Sequence, residues 1–129
     1  MESYPELYLE GLKLFNQEDF FECHEVLEEL WTETTGEEKK FYQGLIQAAV
    51  ALFHFGNENY GGARKVYASA YKYLDAYEDG YGGIPLKAFL RDFQHCFQEL
   101  LDSRDAHPTE ITLQDDRVPK IPLPVNTGE

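Results

Sequence analysis

The sequence predicts an all-α fold: a five-helix antiparallel bundle of helical hairpins, followed by an extended, Pro-rich C-terminal arm. Three observations carry this. Apolar residues recur at helical spacing over five stretches. Most Pro and Gly residues fall between those stretches rather than inside them. Strand-type alternation appears only in the short piece Ile111-Thr112-Leu113. On this reading residues 1–104 form one helical domain, and residues 105–129 form an arm packed on it.

Each element has a local reason. Ser3-Tyr4-Pro5-Glu6 reads as a capping box with Pro early in the first turn, so helix 1 runs from there to about Phe15. Asn16-Gln17 makes a short turn, and helix 2 spans 18–34. Thr35 with Glu38, or Thr34 with Glu37, caps helix 3 over 37–55, and Gly56-Asn57 ends it. Phe41, Tyr42, Leu45, Ile46, Ala48, Ala49, Val50, Leu52, Phe53 and Phe55 make helix 3 apolar nearly all round, which predicts a central position. Helix 4 spans 58–78, with Gly61 and Gly62 in its first turn. Those two glycines suit close helix packing, or amides that hold an anion. Asp79-Gly80-Tyr81-Gly82-Gly83 is a loop, and Pro85 opens helix 5, which ends near Ser103. Pro108, Pro119, Pro122 and Pro124 leave the tail without a helical period.

The chain repeats itself at an offset of 40. Phe15-Asn16-Gln17-Glu18-Asp19-Phe20 falls on Phe55-Gly56-Asn57-Glu58-Asn59-Tyr60. Gly11, Cys23 and Leu30 fall on Ala51, Ala63 and Ala70, and Trp31 falls on Tyr71. Both copies are helix–short turn–helix with small residues where two helices must approach. This resembles tetratricopeptide repeats in packing style, although the period and the signature Trp and Pro of that repeat are missing.

Charge narrows the function classes. The 129 residues hold 24 acids and 11 bases, a net charge of −13. Residues 1–38 hold 12 acids and one base, Lys13, a net −11, which leaves −2 for residues 39–129. Nucleic acid and anionic membrane surfaces call for a basic face, so neither is an expected partner. No apolar run reaches membrane-spanning length. The N-terminal MESYPELYLE lacks a charged-then-apolar leader, so the chain reads as cytoplasmic. Two accounts of the acidic bias stand side by side: a halophile's solvating surface, or an acidic face for a basic protein partner. Cys23 and Cys96 form no CxxC and no zinc spacing, and read as buried core thiols.

The candidate site comes from polar residues on apolar faces. At about 100° per residue, His24 and Glu28 fall within the apolar arc of helix 2, among Phe20, Phe21, Leu27 and Trp31. Glu22, Glu25, Glu29 and Glu33 fall on the opposite, solvated side. On helix 3, Gln43, Gln47, Val50 and His54 share one stripe. A buried His/Glu/Gln cluster between helices 2 and 3 is therefore expected, with His24, Gln43 and Gln47 serving the Glu28 carboxylate.

His24-x3-Glu28-x2-Trp31, preceded by Phe20-Phe21-Glu22 and followed by Phe41-Tyr42-Gln43-Gly44-Leu45-Ile46-Gln47-Ala48 and His54, resembles domain-of-unknown-function family 309 of bacteria and archaea over residues 6–75. The resemblance implies an all-helical fold and no known activity. It also implies a suspected metal role that falls on His24 and Glu28.

Several functions fit these residues. A small-ligand pocket would use His24, Glu28, Trp31, Phe21, Gln43 and Gln47. A divalent metal would use His24, Glu28 and His54, and would open a metal-dependent hydrolase reading. No nucleophile elbow, phosphate loop or cofactor fingerprint is present, so binding is favoured over catalysis and no catalytic residue is assigned. In the interaction reading the polar cluster is purely structural. The protein is then a hairpin module for a basic partner, or a homodimer joined through Tyr60, Tyr67, Tyr71, Tyr73, Tyr77 and Tyr81.

Overall fold

The computed structural model describes residues 4–103 and 111–124. Five helices follow in order: α1 Glu6–Asn16, α2 Phe20–Glu33, α3 Glu37–Gly56, α4 Tyr60–Asp75 and α5 Leu86–Asp102. Single 3₁₀ turns stand at Tyr81–Gly83 and Asp115–Arg117. No strand forms among the described residues, Ile111–Leu113 included. The architecture is all-α, as the helical periodicity predicts.

The internal repeat returns as geometry. Glu18 and Glu58, 40 residues apart, are the two described non-glycine residues at positive φ, 64° and 62°. A non-glycine residue in this left-handed region is strained, so the same strain is built into both hairpin turns. The backbone bonds match as well. The amides of Glu18 and Asp19 donate to the carbonyls of Phe15 and Leu14, and those of Glu58 and Asn59 to Phe55 and His54. Phe15 meets Phe20 edge-on, and Phe55 meets Tyr60 in the same way.

Helix α5 locks the hairpins together. Its buried face, Leu86, Phe89, Leu90, Phe93, Cys96, Phe97 and Leu100, keeps strict helical spacing. Phe89 packs on Phe15 and Phe97 on Phe55, the two equivalent residues of the repeat, with ring centroids 5.7 and 5.0 Å apart. Two turns of α5 thus span two hairpin turns. Helix α3 is central, as its composition predicts, with Ala48, Ala49, Ala51 and Leu52 fully buried. Small residues allow the close approaches: a Cβ on Gly11 would lie 2.5 Å from Leu27, and one on Gly44 would lie 2.7 Å from Leu74.

Several local expectations are corrected. Ser3 lies outside the described residues, and α1 begins after Pro5 with no side-chain cap. Gly36, at φ 84°, precedes α3, again without a side-chain cap. The Thr34 hydroxyl donates to Leu30 O, so Thr34 closes α2 rather than opening α3. Gly61 has open space around it, while Gly62 makes room for Asn59, whose Oδ1 accepts the Gly62 amide and caps α4. Close helix packing does not explain either glycine. Both thiols are free and buried, as expected.

Part of the predicted arm lies outside the described residues. Residues 111–124 are irregular apart from the 3₁₀ turn, and Val118, Pro119, Ile121 and Pro124 are buried. Asn16 holds Ile121 in both directions, Nδ2 donating to its carbonyl and Oδ1 accepting its amide. Tyr60 donates to Ile111 O, and Lys120 pairs with Glu18 at 3.1 Å. These contacts tie the segment to the two hairpin turns.

Candidate functional site

Helices α2 and α3 run antiparallel, so the start of α2 faces the end of α3. His24 therefore meets Val50, Phe53 and His54. Together with Phe20 and Phe21 these residues line a cavity of about 190 Å³. The sequence expectation placed His24 opposite Gln43 and Gln47. The geometry moves it toward the C-terminal end of α3, and Gln43 and Gln47 do not line the cavity.

The partners of each imidazole set its tautomer. His24 Nδ1 lies 2.8 Å from Phe21 O and donates to it, which turns Nε2 toward Glu28 at 3.8 Å. Asn59 Nδ2 donates to His54 Nδ1 at 3.3 Å, which leaves the His54 proton on Nε2.

The expected burial of the cluster is overturned. No charged or polar residue is buried among the described ones, and the Glu28 side chain is 58% exposed. Its place on α2, seven residues after Phe21, puts it on the helix edge beside that exposed ring rather than under α3. Water solvates the carboxylate, so no glutamine amide is needed to pair it. Gln43 and Gln47 are half-buried, and Gln47 Oε1 is a buried oxygen with no partner. Trp31 is also half-buried. It lies two turns beyond His24, and the Lys39 ammonium sits over its ring at 4.1 Å.

The candidate metal set does not assemble. No group of three His, Cys, Asp or Glu among the described residues could hold an ion. Antiparallel packing explains this, since each turn from His24 toward Glu28 leads away from His54. Nor does the cavity suit a drug-sized ligand, which fills about 300–1,000 Å³.

Phe21, a candidate from the sequence, is joined by Phe53, which the sequence did not assign. Phe53, expected to be buried in a central helix, is 38% exposed, and Phe21 is 52% exposed. Their rings touch, with centroids 5.8 Å apart, and His24 packs against Phe21 at 5.2 Å. The signal was the polar stripe of α3, which marks its open edge; Phe53 borders that stripe. The tyrosines expected to form a surface on α4 are partly covered. Tyr60 and Tyr67 are buried, and Tyr71, Tyr73, Tyr77 and Tyr81 are half-buried.

A second concavity lies at the opposite end of α3. It measures about 750 Å³ and is lined by Tyr4, Tyr8, Tyr42 and Tyr81, by Glu38, Glu78 and Asp79, and by the glycines of the α4–α5 loop. The Tyr8 hydroxyl donates to Gly82 O at 2.7 Å. Burial pushes the Tyr42 hydroxyl up to about 12, with Glu38 adding to the shift, and raises Tyr81 in the same way.

Comparison with known proteins adds identity without activity. The uncharacterized protein YpuF of Bacillus subtilis (strain 168) is 41% identical over 75 residues, which are 57% of this chain and 43% of that protein. An uncharacterized protein of Aquifex aeolicus (strain VF5) is 37% identical over 108 residues, 82% of this chain and 31% of that protein. The chain thus spans less than half the length of either relative. No solved structure matches it significantly. No helix among the described residues is long and apolar enough to cross a membrane. Residues 8–66, from the buried Tyr8 through the turns of both hairpins and His24, Glu28 and Trp31, match the family described as Domain of unknown function (DUF309).

Proposed function

We propose that the protein is a binding module whose docking surface is the α2–α3 edge around Phe21, His24, Phe53 and His54, and that its partner is a basic protein segment carrying an apolar anchor. One observation carries this reading. Two phenyl rings lie exposed and in mutual contact beside a small cavity, on the surface of a protein whose other rings are covered or half-covered. Paired exposed aromatics lose little conformational entropy on binding and contribute most when an apolar group covers them. The cavity accepts one apolar side chain. Glu22, Glu25, Glu28 and Glu29 stand exposed on α2, a helix without Lys or Arg. A second copy of the chain would set one strongly acidic half against another, which like-charge repulsion opposes. A basic partner gains from the same field.

The test is an NMR titration with a synthetic Lys/Leu amphipathic peptide, using the wild type, the F21S/F53S double variant and an E25Q/E28Q pair. The reading expects saturable shifts on α2 and the end of α3, lost in F21S/F53S and weakened in E25Q/E28Q with both variants folded. Binding that is unchanged in F21S/F53S overturns it. So does wild-type self-association that F21S/F53S abolishes, which would assign the patch to a homodimer.

A further inference from the structure

The concavity at the other end of α3 has a different chemistry. Every polar side chain that lines it ends in oxygen: tyrosine hydroxyls, and the carboxylates of Glu38, Glu78 and Asp79. No Lys, Arg or His lines it. The carboxylates come from two sides, Glu38 from the first turn of α3 and Glu78 and Asp79 from the loop before α5. We infer that this cleft binds a small aliphatic amine with two or more ammonium groups, held against the half-buried rings of Tyr4 and Tyr81 and paired with the carboxylates of Glu38, Glu78 and Asp79.

Three features support an organic cation over a metal ion. Aromatic faces attract weakly hydrated ammonium groups, whereas magnesium and calcium demand a shell of close oxygen ligands. No three carboxylates among the described residues stand close enough to form that shell. The volume of about 750 Å³ exceeds what one ammonium group fills, and opposed carboxylates suit charges spaced along a chain.

The cleft is also built rather than incidental. Gly82 and Gly83 have φ of 67° and 76°. A Cβ on Gly82 would lie 2.6 Å from the Tyr8 hydroxyl and 2.8 Å from Phe41, and one on Gly83 would lie 2.6 Å from the Tyr4 hydroxyl. The loop therefore closes onto the tyrosines only with glycine at both positions. Asp79 Oδ1 accepts the Lys87 amide, which fixes the far side. The Tyr42 hydroxyl donates to Glu38 Oε2 at 3.5 Å and steadies the near carboxylate.

Calorimetry with spermidine on the full chain at low salt tests this. The expected result is saturable one-to-one binding, weakened at least about tenfold by E38Q/E78Q and by Tyr81→Leu. The exposed pair E22Q/E25Q, which removes the same charge from α2, should leave it unchanged. Circular dichroism confirms that each variant is folded. Equal weakening by both charge pairs overturns the proposal, because it means diffuse attraction to an acidic chain. Absence of saturable binding overturns it, and so does binding of a lysine-rich peptide without binding of spermidine.

Discussion

The two ends of α3 differ in what they show to water. At its C-terminal end, two phenyl rings and two imidazoles from α2 and α3 make a small apolar patch. At its N-terminal end, about 20 Å away along the axis, tyrosine hydroxyls and carboxylates from the N-terminal segment, α1, α3 and the α4–α5 loop make a broad polar cleft. The first needs one tight turn to exist, since α2 and α3 are neighbours in sequence. The second needs the loop before α5 to return across α1 and α3. The patch should therefore tolerate side-chain change, and the cleft should be sensitive to backbone change.

The largest test of that contrast is Gly82→Ala. Its Cβ meets Tyr8 and Phe41 at a positive φ, so strain and overpacking add to about 4 kcal/mol of lost stability. The midpoint of urea unfolding measures it. Gly61→Ala, with open space in the first turn of α4, should instead stabilise by up to about 1 kcal/mol. Equal, small effects at both sites would mean that the loop does not hold the cleft.

Alkaline unfolding separates the two ends by chemistry. Burial pushes Cys23, on α2, up to about 12 from 9.0, and Cys96 likewise. Tyr42, in the cleft, and Tyr67 rise to about 12 from 10.0. All four keep their protons in the folded chain at pH values where the unfolded chain loses them. Their stabilisation is complete below about pH 9 and falls as pH rises from there toward 12. At pH 10 the two thiols alone remove about 3 kcal/mol relative to pH 7. In C23A/C96A the fall should begin about one pH unit later and belong to the tyrosines. A flat profile from pH 7 to 10.5 in the wild type would contradict the burial of both thiols.

Tyr8→Phe is a smaller probe of the cleft. It leaves Gly82 O without its side-chain donor and should cost about 1–2 kcal/mol. The thermal midpoint should fall while patch binding is retained. The smallest effect belongs to the patch. Phe21→Ser and Phe53→Ser should each change stability by no more than about 0.5 kcal/mol, because both rings already meet water. A loss of several kcal/mol would show that the rings are structural and would remove the case for docking.

How far each region could be read follows from the range of its contacts. The hairpins were legible because their residues are local: the repeat of Phe15 through Phe20 on Phe55 through Tyr60 appears in the sequence and again in the paired strained turns. His24 and Glu28 were legible as residues on an apolar arc, but their depth was not. An arc drawn on one helix does not say how far its neighbours reach over it: Leu27 is buried against Gly11 of α1, while Glu28, the next residue, is left in water. The expected metal triad failed for the same reason. Helical angle places residues around an axis, while antiparallel packing decides which turns come opposite each other. The tyrosine cleft carried no sequence signal, because Tyr8, Tyr42 and Tyr81 are far apart in the chain and their spacing belongs to three separate elements.

By itself, the sequence determined the helical class, the boundaries of the hairpins to within a few residues, the central place of α3, the buried thiols and the acidic bias of the first 38 residues. These follow from periodicity, turn chemistry and composition, which act over a few residues at a time. Only the tertiary structure decided which polar groups met solvent, which aromatic rings were left uncovered, and which distant side chains formed a cleft. Those outcomes depend on the register and depth at which helices pack, and register is fixed by the whole core: by Phe89 seating on Phe15, Phe97 on Phe55, and the glycine loop closing against Tyr8.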